Sequence, residues 1–149
     1  MATRTEVVEE ARSWLGTPFK HQAGVKGAGT DCLQLVINVA DATGLLKNQT
    51  FDWAALPEYH GYGHSPAAYK LVEGCARFLQ PIDRTQVLPG DLILMDFGMG
   101  PQHFAFLTEM NPPYILHSYA PNRKVVEHIL DDQWMKRIVS FHRYPNITD

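Results

Sequence analysis

After Pro89-Gly90 the chain changes period, and that change limits its fold more than any other feature. Five strand-like segments follow, Asp91 to Phe97, Gln102 to Glu109, Tyr114 to Ala120, Lys124 to Leu130 and Ile138 to Tyr144, divided by Gly, Pro, Asn and Asp. Connections of a few residues cannot hold crossover helices, so these strands must pair mainly antiparallel. The part before them reads as helix. Thr3-Arg4-Thr5-Glu6 has capping-box spacing, and Val7, Val8, Ala11, Trp14 and Leu15 follow at helical intervals until Gly16. Thr30 or Asp31 can cap a second helix whose apolar face is Leu33, Val36, Ile37 and Ala40, ending near Gly44. Ser65-Pro66 opens a third, with Ala68, Leu71, Val72, Cys75 and Leu79 as its stripe. Helices first and strands second imply an α+β fold, N-terminal helices packed on a mainly antiparallel sheet of five or six strands.

With 149 residues, 45% of them hydrophobic, residues 1–149 are expected to form one domain, since two halves would each be poorly stabilised. A formal charge of -3 with interspersed signs supplies no basic stripe for a phosphate backbone, which argues against nucleic acid as partner. No apolar run approaches the roughly 20 residues a bilayer demands. The N-terminus is polar and acidic where a secretory signal is basic and then apolar, so cytoplasmic synthesis without a signal peptide is expected. Two cysteines are too few for a disulfide scaffold, and each is judged alone.

Cys32 falls in the first turn of the second helix, where the macrodipole and the free N–H groups favour thiolate over thiol and can also hydrogen-bond an oxyanion. An ordinary cysteine is a small buried hydrophobe, and Cys75, mid-helix on an apolar stripe, is assigned to that role. Cys32 differs in following a loop, Thr17 to Thr30, that holds Pro18, Gly24, Gly27 and Gly29. Of seven histidines, His103 and His117 lie on consecutive expected strands. In a hairpin centred near residues 110 and 111, His103 falls opposite residues 117 to 119, so one imidazole can take the thiol proton while the other orients it. A one-residue slip would separate them. Taken singly, each histidine is more often a surface or satisfied strand residue. His21 and Gln22 precede Cys32 and are candidates to line the site, while His60, His64, His128 and His142 are expected to be solvated. Asp31 is equally readable as a helix cap. Cys32, His103 and His117 could alternatively ligate a zinc ion, but no paired-ligand spacing such as C-x-x-C favours that. The loop from Asn48 to Ser65, with Trp53, Tyr59, His60 and Tyr62, is either a cleft wall or a cover for the core.

These residues resemble the NlpC-type peptidoglycan endopeptidases, a papain-like group of bacterial and phage enzymes. Leu15-Gly16-Thr17-Pro18-Phe19, His21-Gln22 and Gly27-Ala28-Gly29-Thr30-Asp31-Cys32-Leu33-Gln34-Leu35 are similar to the family's stretch leading into its nucleophile helix. Pro89-Gly90-Asp91-Leu92, Gln102-His103-Phe104-Ala105 and Ile115-Leu116-His117-Ser118 resemble its later motifs, in the same order and across nearly the whole chain. The resemblance implies a papain-like fold, Cys32 as nucleophile, His103 as base, His117 as orienting residue and no cofactor. It implies peptidoglycan stem peptides as substrate, cut between D-gamma-glutamate and the diamino acid, with Asp31, His21, Gln22 and Phe19 beside the substrate. His21-Gln22 and Val25-Lys26-Gly27 look most like the branch found in phage tails, prophages and gene transfer agents. That implies action at the cell wall from a virion or phage-like particle, with tail proteins as partners. The alternatives are a structural tail-tip component with weak or no hydrolysis, and an intracellular amidase or acyltransferase. Phe19 departs from a common Tyr, and Gln34 from a small residue.

Overall fold

The structure, a computed structural model, describes residues 2–45, 78–98 and 100–149. The expected loop from Asn48 to Ser65 and the third helix with Cys75 lie outside the described residues, apart from that helix's final Leu79, which is buried.

Helix α1 spans Arg4–Arg12, and both halves of its capping box are made: Glu6 N–H donates to Thr3 Oγ1 at 3.1 Å and Thr3 N–H to Glu6 Oε2 at 2.9 Å. It ends earlier than the apolar spacing suggests. Trp14 is buried, but Leu15 lies past the last turn and is exposed. Strands β1 (Gly24–Val25) and β2 (Gly29–Thr30) form a small antiparallel ribbon that the sequence did not suggest. Helix α2 runs Cys32–Ala42 from its N-cap Asp31.

The main sheet contains β3 (Gln80–Ile82), β4 (Leu92–Asp96), β5 (Pro101–Glu109), β6 (Tyr114–Tyr119), β7 (Lys124–Ile129) and β8 (Ile138–Arg143). Their order is β3-β8-β4-β5-β6-β7, with every neighbouring pair antiparallel. The α+β class holds, and the five expected strands lie within a residue or so of their expected limits. β3 was not expected; it carries Pro81, which cannot donate to a ladder and sits on an edge strand. A four-residue helix, α3 (Asp132–Met135), also interrupts the run between β7 and β8.

Both faces of the sheet are covered, which is why Leu92–Met95 is a continuous apolar run and not an alternating one. Leu92 and Leu94 join Phe104, Phe106 and Leu116 against Val7, Ala11, Leu35, Val36 and Val39 of the helices. Ile93 and Met95 join Ala105, Leu107, Ile115 and Phe141 on the other face. Tyr144 donates its hydroxyl to Val36 O at 2.6 Å, anchoring α2 to the chain beyond β8. The turn at Pro89-Gly90 buries Asp91, whose carboxylate accepts from Arg4, Arg143 and the Leu88 N–H. No helix among the described residues is long and apolar enough to cross a membrane.

Candidate active site

The loop before α2 is tied to the sheet edge and delivers Cys32 to it. Gly16 N–H donates to Val125 O at 3.0 Å, Val125 N–H to Thr17 O at 2.9 Å and Phe19 N–H to Arg123 O at 2.8 Å. Ser118 Oγ holds Thr30 O at 2.9 Å, linking the loop's end to β6. Asp31 then serves both loop and helix: one oxygen accepts Gln34 N–H at 2.8 Å and the other Gln22 N–H at 2.7 Å, with Gln22 held at a φ of 62°. The cap reading of Asp31 is therefore the one the geometry supports. His21 lies alongside, its Nδ1 3.9 Å from Asp31 Oδ2. Gln34, larger than the family's small residue, is accommodated by a glycine opposite: a Cβ at Gly24 would come within 2.9 Å of Gln34 Oε1.

Cys32 is half-buried at the start of α2. Its sulfur lies 3.9 Å from Gln102 O, and the N–H of Phe104 acts on it too, so it meets β5 on both sides of His103. His103 and His117 are brought together: Nε2 of His103 stands 2.6 Å from Nδ1 of His117, with both residues buried. The register explains this. Phe106 pairs with Leu116, which continues to Tyr119 opposite His103 and leaves His117 as the diagonal neighbour on the same face. Two nitrogens facing each other at that distance share a proton and do not converge on a third point, so the geometry does not serve a zinc site.

The row continues further than the sequence suggested. His128 on β7 is half-buried and joins the row: its Nε2 lies 2.9 Å from His117 Nε2, and its Nδ1 lies 3.0 Å from Ile129 O. Rings close around the row. Tyr119 stacks on His117 with centroids 5.1 Å apart, Trp134 meets His117 edge-on at 5.0 Å, and Phe97 lies 4.9 Å from His103. The Arg137 guanidinium covers Trp134 at 4.5 Å. His128 could have been found by repeating the hairpin reasoning across β6 and β7, since His117 pairs with Val126 and so has His128 as its diagonal neighbour. Trp134 offered no such signal, because a four-residue helix has too little sequence to show a period. His142, expected to be solvated, is buried, with Nε2 2.7 Å from Ser140 Oγ and outside this row.

Burial sets the charge state of the resting site. It pushes the Cys32 thiol up to about 12, helped by the Asp31 charge, against the N–H groups of Phe104, Leu33 and Cys32. Burial and then Arg137 bring His103 down to about 3, and burial, His103, His128 and Arg137 lower His117 further. The helix-terminus effect expected to favour thiolate is thus outweighed by desolvation. The resting pair is thiol and neutral imidazole.

The backbone arrangement matches known structures. Against a NlpC/P60 family protein from Bacillus cereus ATCC 10987 the TM-score is 0.65 at 19% identity, covering 95% of this chain and 40% of that one. Against a Staphylococcus aureus Mu50 protein described as similar to lipoprotein, NLP/P60 family, it is 0.64 at 19% identity, covering 98% and 42%. Against the NlpC/p60 domain of SagA it is 0.61 at 17% identity, covering 95% of this chain and 98% of that one. The chain has the NlpC/P60 papain-like fold. It spans about two fifths of the length of the first two of these proteins. No family model and no curated protein matches the sequence. The NlpC/P60 fold accounts for a helix that presents its first residue to a sheet whose strands carry the histidines.

Proposed function

We propose that this chain is a cysteine peptidase of the bacterial cell wall, cutting peptidoglycan stem peptides through a thioester on Cys32. The observation that carries the reading is the His103–His117 hydrogen bond beside a cysteine that opens helix α2 and whose sulfur abuts β5 on both sides of His103. SagA, which shares the fold, is described as a peptidoglycan hydrolase.

His103 takes the thiol proton as Sγ bonds to the amide carbon. The carbonyl oxygen becomes an oxyanion beside the N–H groups at the start of α2. Collapse breaks the C–N bond while His103 returns the proton to the leaving amine. Water, deprotonated by His103, then attacks the thioester, and release of the acid restores the thiol. The bond between D-gamma-glutamate and the diamino acid, and delivery to the wall by a phage-like particle with its tail proteins, rest on the sequence resemblance alone and belong to the same proposal.

The test is incubation with diaminopimelate-containing muropeptides beside Cys32→Ala, following new free amines and fragment masses. Cleavage that falls by more than about 10^4-fold in the variant is expected. Equal cleavage by the variant would overturn the role of Cys32. No cleavage by either protein would overturn the hydrolase reading and favour a structural tail component.

A further inference from the structure

The imidazole row ends on a group that can only accept a hydrogen bond, and this decides the protons of every ring in it. We propose that His128 is a positioning residue that sets the tautomers of His117 and His103 and leaves Nδ1 of His103 bare to take a proton. The catalytic meaning of this rests on the hydrolase reading; the proton arrangement does not.

Ile129 O, 3.0 Å from His128 Nδ1, is a carbonyl and cannot donate, so His128 Nδ1 carries the hydrogen. In a neutral ring the other nitrogen is then an acceptor. His128 Nε2 lies 2.9 Å from His117 Nε2, which must therefore donate. A neutral His117 protonated at Nε2 has a bare Nδ1, and that atom lies 2.6 Å from His103 Nε2. His103 Nε2 donates in turn, leaving Nδ1 of His103 as the ring's lone pair. One carbonyl on β7 thus orders three rings on three adjacent strands. His103 and His117 are buried and held neutral, which keeps the alternation intact. Trp134, 4.8 Å from His128 and 5.0 Å from His117, covers the row.

Run in reverse, the row would place a proton on Nδ1 of His103, and an imidazole protonated there cannot take a proton from sulfur. Without His128, His117 loses the acceptor that forbids this reversed arrangement. Loss of His128 should therefore act on the proton-transfer step and not on the fit of the substrate.

Two-bond nitrogen–proton spectra of the histidine-labelled protein read the tautomers without any turnover. Wild type should show hydrogen on Nδ1 of His128 and on Nε2 of His117 and His103. His128→Ala should populate the reversed tautomer of His103 and lower kcat about 10-fold to 100-fold at unchanged KM, the cost typical of losing an outer partner of a functional imidazole. His128→Gln, whose carbonyl oxygen can accept from His117, should restore most of both readouts. Hydrogen on Nδ1 of His103 in wild type, or His128→Ala with unchanged tautomers, would overturn the proposal. Equal kcat losses in the Ala and Gln variants would reduce His128 to a packing role. If wild type shows the expected tautomers yet cleaves no muropeptide, the hydrolase reading fails while the proton arrangement stands.

Discussion

Two of the polar clusters in this sheet are treated in opposite ways. On the β4 and β8 side, Asp91 accepts from Arg4 at 3.0 Å and from Arg143 at 2.9 Å through each oxygen, with the Leu88 N–H completing its shell. That carboxylate is fully buried and paired with two guanidinium groups, and it raises the Arg143 guanidinium further. On the β5, β6 and β7 side, His103, His117 and His128, among the described residues, share protons with one another and with Ile129 O. Among the hydrogen bonds of that row none goes to a carboxylate, so nothing repays the desolvation of an imidazolium. The first group joins distant parts of the chain; in the second, burial lowers His103 and His117 and leaves them able to take a proton. A buried polar cluster serves stability when its charges are matched and chemistry when they are left unmatched.

The largest effect should come from breaking the matched cluster. Asp91→Ala leaves two guanidinium groups without their shared carboxylate and should destabilise the fold by about 3–5 kcal/mol, read from urea midpoints. Muropeptide turnover per folded molecule should survive, because the histidine row is untouched. An Asp91→Ala protein as stable as wild type would break the contrast.

A smaller effect should appear in acid. His103, brought down to about 3 from its ordinary 6.5, is neutral when folded, and His117 and His142 are lowered as well. In the unfolded chain these rings take protons near 6.5, so below that pH the unfolded state binds more protons. The stability they contribute is fully present above about pH 6.5 and is lost as pH falls toward about 3. Urea midpoints should drop between about pH 7 and about pH 4.5, and constant midpoints would contradict the neutral row.

The smallest effect tests the link between loop and thiol. Asp31→Asn retains an oxygen for Gln34 N–H but removes a charge that raises the Cys32 thiol. Alkylation of Cys32 near pH 8 should quicken roughly 2-fold to 5-fold in the variant. In wild type it should climb steadily with pH, with no acidic plateau of the kind a preformed thiolate gives. Such a plateau would mean that the helix terminus outweighs burial after all.

Much of this was legible beforehand, wherever the cause is local. Thr3 and Glu6 build the first cap from four adjacent residues, and Asp31 caps α2 by the same short reach. The five strands follow from their period and short connections, and His103 meets His117 because a hairpin turn fixes which residues face each other. Leu15 was misread and β3 went unread, since where a helix stops and whether an edge strand pairs depend on what packs alongside. His142 was read as solvated and His128 was left out of the row because burial and cross-strand contact are properties of the assembled sheet, invisible in a residue's own neighbours. The sequence by itself determined the class of fold, the strand order within hairpins and the identity of the candidate nucleophile and its two histidines. Only the tertiary structure decided their charge. Desolvation depends on every element packed around a group, so it raises the Cys32 thiol against the pull of the helix terminus and lowers His103 and His117.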